Sequence, residues 1–349
     1  MSSNINSLPN YDAVMPAPAP SGFRKVFIGK DGLRAGWSLL IFMLLLAAVL
    51  FCAHEVALKF FPPTHKPGSV PSSLGWKFAA INELVPFLGV VLITWIMSKI
   101  ERRPLGVYGF GGERKAPRFF AGLGWGFVCL SLLVGTLWKT GLLVIERRLL
   151  FGSDVVLYGA MWLVGFLLVG LLEEYLSRGY MQYTLTRGLA GLYQAIFKTR
   201  YSEVLGFWSA AIVFSILFGM GHSGNPGESP IGLLSAGLAG IVFCFSLWRT
   251  GSLWWAIGFH CSWDWSQSYL YGVADSGLMV EHHLLETHAV GKPILSGGTT
   301  GPEGSIIILG IFALIVVIIL ATLPRRQGSY LWHRPVVPEP LPEPSKLTA

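Results

Sequence analysis

Glu173 and Glu174 stand side by side at the end of an apolar run, and Arg178 follows one helical turn later. An ionised side chain in the bilayer core costs about 2.5–3.5 kcal/mol by insertion scales. Two adjacent carboxylates in such a run therefore need a partner, a wet cavity or a task. Glu174 and Arg178 are four apart, share a helical face and can pair. Glu173 lies about 100° around the helix from Glu174, is not neutralised by Arg178, and is free to act. Two more polar pairs recur on other apolar segments: Phe218-x3-His222 closes one, and His260-x3-Asp264 lies inside another. His260 and Asp264 share a face, and Phe218 can wall a pocket against the His222 ring.

Any one of these could be a packing detail. Two Glu, two His, an Asp and an Arg on three helices converge only if the helices surround one polar pocket, and intramembrane ionisable residues mark functional sites by default. The chemistry suits hydrolysis. A carboxylate beside a neutral histidine can hold a water and take its proton, and a second histidine can donate to a developing oxyanion. No Ser or Cys is obviously paired with a base, although Ser177, Ser215 and Cys261 lie nearby, so water is the better nucleophile. Glu173, His222 and His260 could equally ligate a divalent metal such as zinc, since imidazole and carboxylate are ordinary zinc ligands; an HExxH helix is absent.

The elements that must position these residues are membrane helices. Of 349 residues 52% are hydrophobic and only 13% charged, against about 25% charged in a soluble domain, and the mean hydropathy is +0.56. The reading is an all-α polytopic membrane protein with about eight transmembrane helices around a polar intramembrane cavity. The spans are expected near 36–58, 76–98, 119–144, 155–178, 205–222, 230–248, 252–271 and 305–323. The net charge of +7 sits mostly between apolar runs, as topology signals do, and does not indicate nucleic acid. Alternate loops are rich and poor in Lys and Arg, which puts both termini in the cytoplasm. Residues 1–34 read as a disordered N-terminus and 326–349 as a proline-rich tail. Cys52, Cys129, Cys244 and Cys261 all lie in apolar runs and are expected to be small buried hydrophobes. In the 272–304 connection, Glu281, His282, His283, Glu286 and His288 have a metal-like composition but read as solvated surface. Asn82 and Glu83 could line the cavity or hydrogen-bond across helices.

Glu-Glu-x3-Arg, Phe-x3-His and His-x3-Asp, in that order on separate apolar segments over about 170–265, resemble the CPBP family of CAAX-processing and bacteriocin-processing (Abi) intramembrane proteases. Glu101-Arg102-Arg103-Pro104-Leu105 and Gly251-Ser252-Leu253-Trp254 also look like this family. The resemblance makes 35–325 a protease-like domain of eight helices that cleaves a peptide bond of a membrane-embedded or lipidated substrate, such as a prenylated tail or a small peptide. It implies that Glu173 and His222 activate the water, that His260 and residue 264 form the oxyanion site, and that Glu174 and Arg178 shape and charge the pocket. Members are often labelled metalloproteases, while the prenyl-peptidase branch is argued to use Glu and water alone. Where that branch typically has Asn, this chain has Asp264. An ionised Asp cannot donate to an oxyanion, so Asp264 is protonated, orients His260 or ligates a metal. The rival readings are a non-catalytic scaffold of the same fold and a proton-coupled transporter using Glu173.

The span limits raise a conflict. They put Glu173 at one end of its helix and His222 at the opposite end of the next, roughly 25 Å apart along the membrane normal. For the two to meet, span four must run past Arg178, and span five must sit lower or end at mid-membrane. An irregular or recessed segment is therefore expected over 219–229, where Gly219, Gly221, Gly224, Asn225, Pro226 and Gly227 cluster.

Overall fold

The long apolar runs form helices, and the computed structural model describes residues 22–29, 32–60 and 73–332 of the chain. Helix α1 spans Ala35–Phe60, α2 Trp76–Glu101 and α3 Lys115–Lys139. Helix α4 begins at Ser153 and runs without a break to Phe197, 45 residues in all. Helix α5 spans Ser202–Gly221, α6 Pro230–Thr250, α7 Trp254–Asp264 with a helical extension to Leu270, and α8 Ile308–Thr322. Among the described residues six of these helices, α1 to α6, are long and apolar enough to cross a membrane. That is two fewer than the apolar runs suggest. With its extension α7 reaches only about 25 Å, and α8 about 22 Å, against a hydrocarbon core of about 30 Å. Large side chains such as Leu44, Leu88, Ile212 and Val317 are exposed on the outer surface, as a lipid-facing wall requires.

The fold is mostly helical rather than wholly so. Strand β1, Leu143–Arg148, pairs antiparallel with β2, Leu285–Ala289, from Leu143 opposite Ala289 to Arg148 opposite Leu285, with a register shift between Ile145 and Arg147. The ribbon ties the connection after α7 to the start of α4, where Trp265 Nε1 donates to the Gly159 carbonyl at 2.8 Å and Trp162 Nε1 to the Glu281 carbonyl at 2.9 Å.

Close approach of helices depends on glycine at the crossing points. A Cβ on Gly122 or Gly126 of α3 would collide with the backbone of Trp255 and Phe259 on α7, so the two helices pack backbone to backbone, as small-residue faces do in membranes. On α4, a Cβ at Gly170 would lie 3.2 Å from the Ile257 carbonyl and 3.6 Å from the His260 Cβ. That crossing, one turn before Glu174, sets α4 against the α7 segment that carries His260.

The conflict over depth is resolved by both helices. Glu173 lies near the midpoint of α4, because the helix continues well past Arg178. Helix α5 stops at Gly221, and a single tight turn, His222–Gly224, closes it with Asn225 N–H on the His222 carbonyl at 3.0 Å. Chain direction is restored at Ser229, whose side chain caps α6 by accepting from Gly232 N–H at 3.1 Å, with Pro230 in the first helical position.

One end of the bundle is basic. Glu101, 3% exposed, accepts from the Tyr108 and Tyr180 hydroxyls at 3.1 and 3.0 Å and faces Arg103 at 3.5 Å and Arg187 at 3.4 Å. Arg187 also reaches the Leu33 carbonyl at 2.8 Å. Segment 324–332 lies over the same end: Arg326 N–H meets the Arg249 carbonyl at 2.6 Å, and Trp332 N–H meets the Tyr183 hydroxyl at 3.0 Å. Of the two terminal segments expected to be disordered, 22–29 and 32–34 form a short helix and two paired strands, and 326–332 packs as described. Residues 1–21, 30–31 and 333–349 lie outside the described residues. All four cysteines are free; Cys129, Cys244 and Cys261 are buried as expected, whereas Cys52 is exposed on α1.

Candidate active site

Helices α4, α5 and α7 bring the three polar motifs to one cavity of about 560 Å³. Glu173, Phe218, His222, His260 and Asp264 all line it, while Glu174 and Arg178 sit immediately behind the wall, 0% and 2% exposed. Arg178 Nη1 donates to Glu174 Oε1, forming the pair expected from their spacing. The guanidinium lies 4.5 Å from the centre of the Phe218 ring and 5.3 Å from that of Phe243, so its faces are covered by aromatic rings rather than water.

The same Glu174 oxygen holds the site histidine. His260 Nδ1 is 3.1 Å from Glu174 Oε1. The carboxylate accepts, so Nδ1 carries a proton and Nε2 becomes the ring edge turned to Glu173 and Asp264. Nε2 lies 3.6 Å from Glu173 Oε2 and 3.4 Å from Asp264 Oδ2. Glu173 Oε2 is enclosed beside the ring without a hydrogen-bond partner, while the side chain as a whole is 29% exposed.

His222 is fixed differently. Its Nδ1 lies 2.9 Å from the Phe218 carbonyl, one turn back on its own helix. A carbonyl only accepts, so in the neutral ring Nδ1 carries the proton and Nε2 keeps its lone pair. The Phe218 ring stands edge-on to His222 at 5.0 Å and to His260 at 6.3 Å, as the wall its position suggested.

Two features of these helices leave no trace in residue spacing. Directly after Glu173-Glu174, α4 passes through a π-helical stretch, Tyr175–Met181, and directly after Asp264, α7 passes through another, Trp265–Leu270. The Tyr271 N–H reaches the Ser266 carbonyl at 2.9 Å, five residues back. Such insertions concentrate at functional sites. Here Ser177, inside the first, turns its hydroxyl onto the Glu173 carbonyl.

Three further carboxylates line the cavity. Glu83 enters from α2, with Asn82 beside it. Asp275 and Glu303 come from the 272–304 connection, which reads as solvated loop. Asp275 accepts from the Ser268 hydroxyl at 3.2 Å, and Glu303 accepts from Gln267 Nε2 and Ser276 N–H. Burial pushes the Asp275 carboxyl up to about 6 and raises that of Glu303 as well.

His260 turns Nδ1 to Glu174 and Nε2 to the Glu173 and Asp264 carboxylates. Among the described residues no three His, Cys, Asp or Glu side chains form a group able to hold a metal ion. The metal-like composition of 281–288 is dispersed: His282 stacks on Tyr158 at 4.2 Å, His288 meets Glu146 at 3.1 Å, and Glu286 pairs with Arg147.

Against known proteins, residues 156–266 match the family model described as type II CAAX prenyl endopeptidase Rce1-like. The matched segment is of the CPBP family. It contains all three motifs, from Glu173 to Asp264, and the α4, α5 and α7 stretches that carry them. Glu83, Asp275 and Glu303 lie outside the part matched to the CPBP family. No match to a curated protein or to a solved structure was found.

Proposed function

We propose that the protein is an intramembrane endopeptidase of CAAX type that hydrolyses a peptide bond of a membrane-associated substrate with an activated water. One observation carries the reading: Glu173, His222, His260 and Asp264, from three helices, line one cavity, with His260 Nε2 3.6 Å from the unpartnered Glu173 oxygen. The water sits on the exposed edge of the Glu173 carboxylate. Glu173 takes its proton as hydroxide attacks the scissile carbonyl, and the free Nε2 lone pair of His222 is the second acceptor on the same cavity wall. His260, doubly protonated among the Glu173, Glu174 and Asp264 carboxylates, donates its Nε2–H to the oxyanion. Collapse of the tetrahedral intermediate returns the proton to the leaving amine.

Glu174 and Arg178 act through His260. The pair fixes the Nδ1 edge of the ring, so Nε2 keeps its aim as charge develops. Asp264 Oδ2, at 3.4 Å from that same Nε2, orients the ring. The apolar lining, including Phe78, Trp162, Phe166 and Phe312, accommodates the lipid-like portion of a lipidated or membrane-embedded peptide. The gathering of Arg103, Arg187, Arg249 and Arg326 at one end supports an orientation with that end, and both termini, in the cytoplasm.

Cleavage of a quenched fluorescent peptide amide by purified protein in detergent tests the reading. His222→Ala is expected to lower kcat/KM at least a hundredfold, and a chelator is expected to leave the rate unchanged. Full activity in His222→Ala would sink the assignment, and loss on chelation with rescue by zinc would replace it with a metal mechanism.

A further inference from the structure

Among the described residues five carboxylate side chains line the cavity (Glu83, Glu173, Asp264, Asp275 and Glu303), and no Lys or Arg does. Four of the five are engaged. Glu173 and Asp264 face His260, Asp275 accepts from Ser268, and Glu303 accepts from Gln267 and Ser276. Glu83 has no hydrogen bond or ion pair among the described residues. It lies about two turns into α2, inside one of the six long apolar helices, where an unpaired carboxylate is costly and marks a function. On the cavity wall formed by α6, Ser235 is 3% exposed and its hydroxyl also lacks a partner. The cavity thus presents, beside its engaged polar groups and its apolar walls, one carboxylate without a partner. Its complement is an amphiphile bearing a cation and polar main chain.

We infer that Glu83 is a specificity-determining residue: it pairs with the ammonium or guanidinium of a lysine or arginine in the substrate peptide, close to the bond to be cut. This rests on the endopeptidase reading for the identity of the ligand as a peptide. The apolar walls take the hydrophobic part of the segment, and Glu83 admits the cation. A neutral or acidic side chain at that position leaves the Glu83 carboxylate uncompensated.

The test is binding, read by quenching of the cavity tryptophans Trp162 and Trp263. The probes are three dodecanoyl tripeptide amides carrying a dinitrophenyl group, identical except for lysine, norleucine or glutamate at one position. The wild-type protein is expected to bind the lysine probe about tenfold tighter than the norleucine probe, equivalent to about 1.4 kcal/mol, and the glutamate probe weakest. Glu83→Gln should bring lysine and norleucine within about twofold of each other, and Glu83→Lys should reverse the order in favour of glutamate. Thermal midpoints report folding, and the isosteric Gln variant decides the question if the Lys variant does not fold. A tenfold lysine preference that survives Glu83→Gln, or no preference in the wild type, overturns the inference. Cleavage of the same probes separates it from the enzymatic reading. Lysine preference without cleavage leaves Glu83 in its role and removes the hydrolase, whereas cleavage without preference does the reverse.

Discussion

The neighbouring glutamates should fail in opposite ways. In Glu173→Gln the shape is kept and the basicity removed. Glu173 is 29% exposed in its side chain, and among the described residues its one ion-pair contact within 4 Å is the His260 ring at 3.6 Å, so the folded state loses little, under about 1 kcal/mol. Loss of a general base costs about 10²–10⁴ in rate, or roughly 2.7–5.5 kcal/mol of transition-state stabilisation at about 1.4 kcal/mol per decade. In Glu174→Gln the neighbour left behind is Arg178, 2% exposed and enclosed by Phe218 and Phe243. Stranding a buried charge costs about 3–5 kcal/mol, and His260 Nδ1 keeps only a neutral amide oxygen as its acceptor. The thermal midpoint in detergent, measured beside peptide cleavage, separates the two. Glu173→Gln should melt within a few degrees of wild type and cleave at under about 1% of its rate, while Glu174→Gln should melt far lower. Cleavage by Glu173→Gln within threefold of wild type, or a larger loss of stability at 173 than at 174, would refute the division of labour.

Other outcomes follow from the same geometry. Asp264→Asn gives the oxyanion site a neutral donor and is expected to keep cleavage, whereas Asp264→Ala should lower kcat about tenfold or more with little change in KM; equal activity of the two would remove residue 264 from the site. Burial raises the Asp275 carboxyl to about 6, so between its unfolded value near 4 and about pH 6 the folded protein holds a proton that the unfolded chain has released. Stability should therefore fall as pH rises through that window, and Asp275→Asn should flatten the melting-temperature profile; an unchanged slope would reassign it. Gly170→Leu forces α4 away from Ile257 and His260, and should abolish cleavage and lower the melting midpoint; wild-type behaviour would show that the crossing is not tight.

Much of the site was legible because its chemistry is expensive in lipid. Glu174 with Arg178, and His260 with Asp264, are paired by helical spacing alone. Convergence of the motifs could be argued from cost, and the break near Gly221 from the need for Glu173 and His222 to meet at one depth. The rest was hidden for physical reasons. Helix α4 ends in hydropathy because Gln182, Thr184, Thr186 and Arg187 are polar, yet tertiary contacts hold two of them: Cys244 Sγ lies 3.1 Å from Gln182 Oε1, and Arg187 reaches Glu101 and Leu33. The two helices at the end of the count fall short because α7 and α8 are shorter than the runs that contain them. Asp275 and Glu303 sit in a polar connection with no periodicity, so nothing local reveals that it folds inward over the cavity. The ribbon of β1 and β2 joins segments more than a hundred residues apart, each too short for alternation to stand out.

The widened turns after Glu174 and Asp264 work as phase shifters. Each inserts a residue and so rotates everything beyond it by about 100° relative to an uninterrupted α-helix. The stretch of α4 before the shift can answer to α7 and the water-holding carboxylate, while the stretch beyond it answers to Glu101 and the arginine-rich end of the bundle. Removing one residue from 175–181 would restore a plain rod, and with it a single azimuth: either Glu173 or Arg187 could keep its neighbours, but not both.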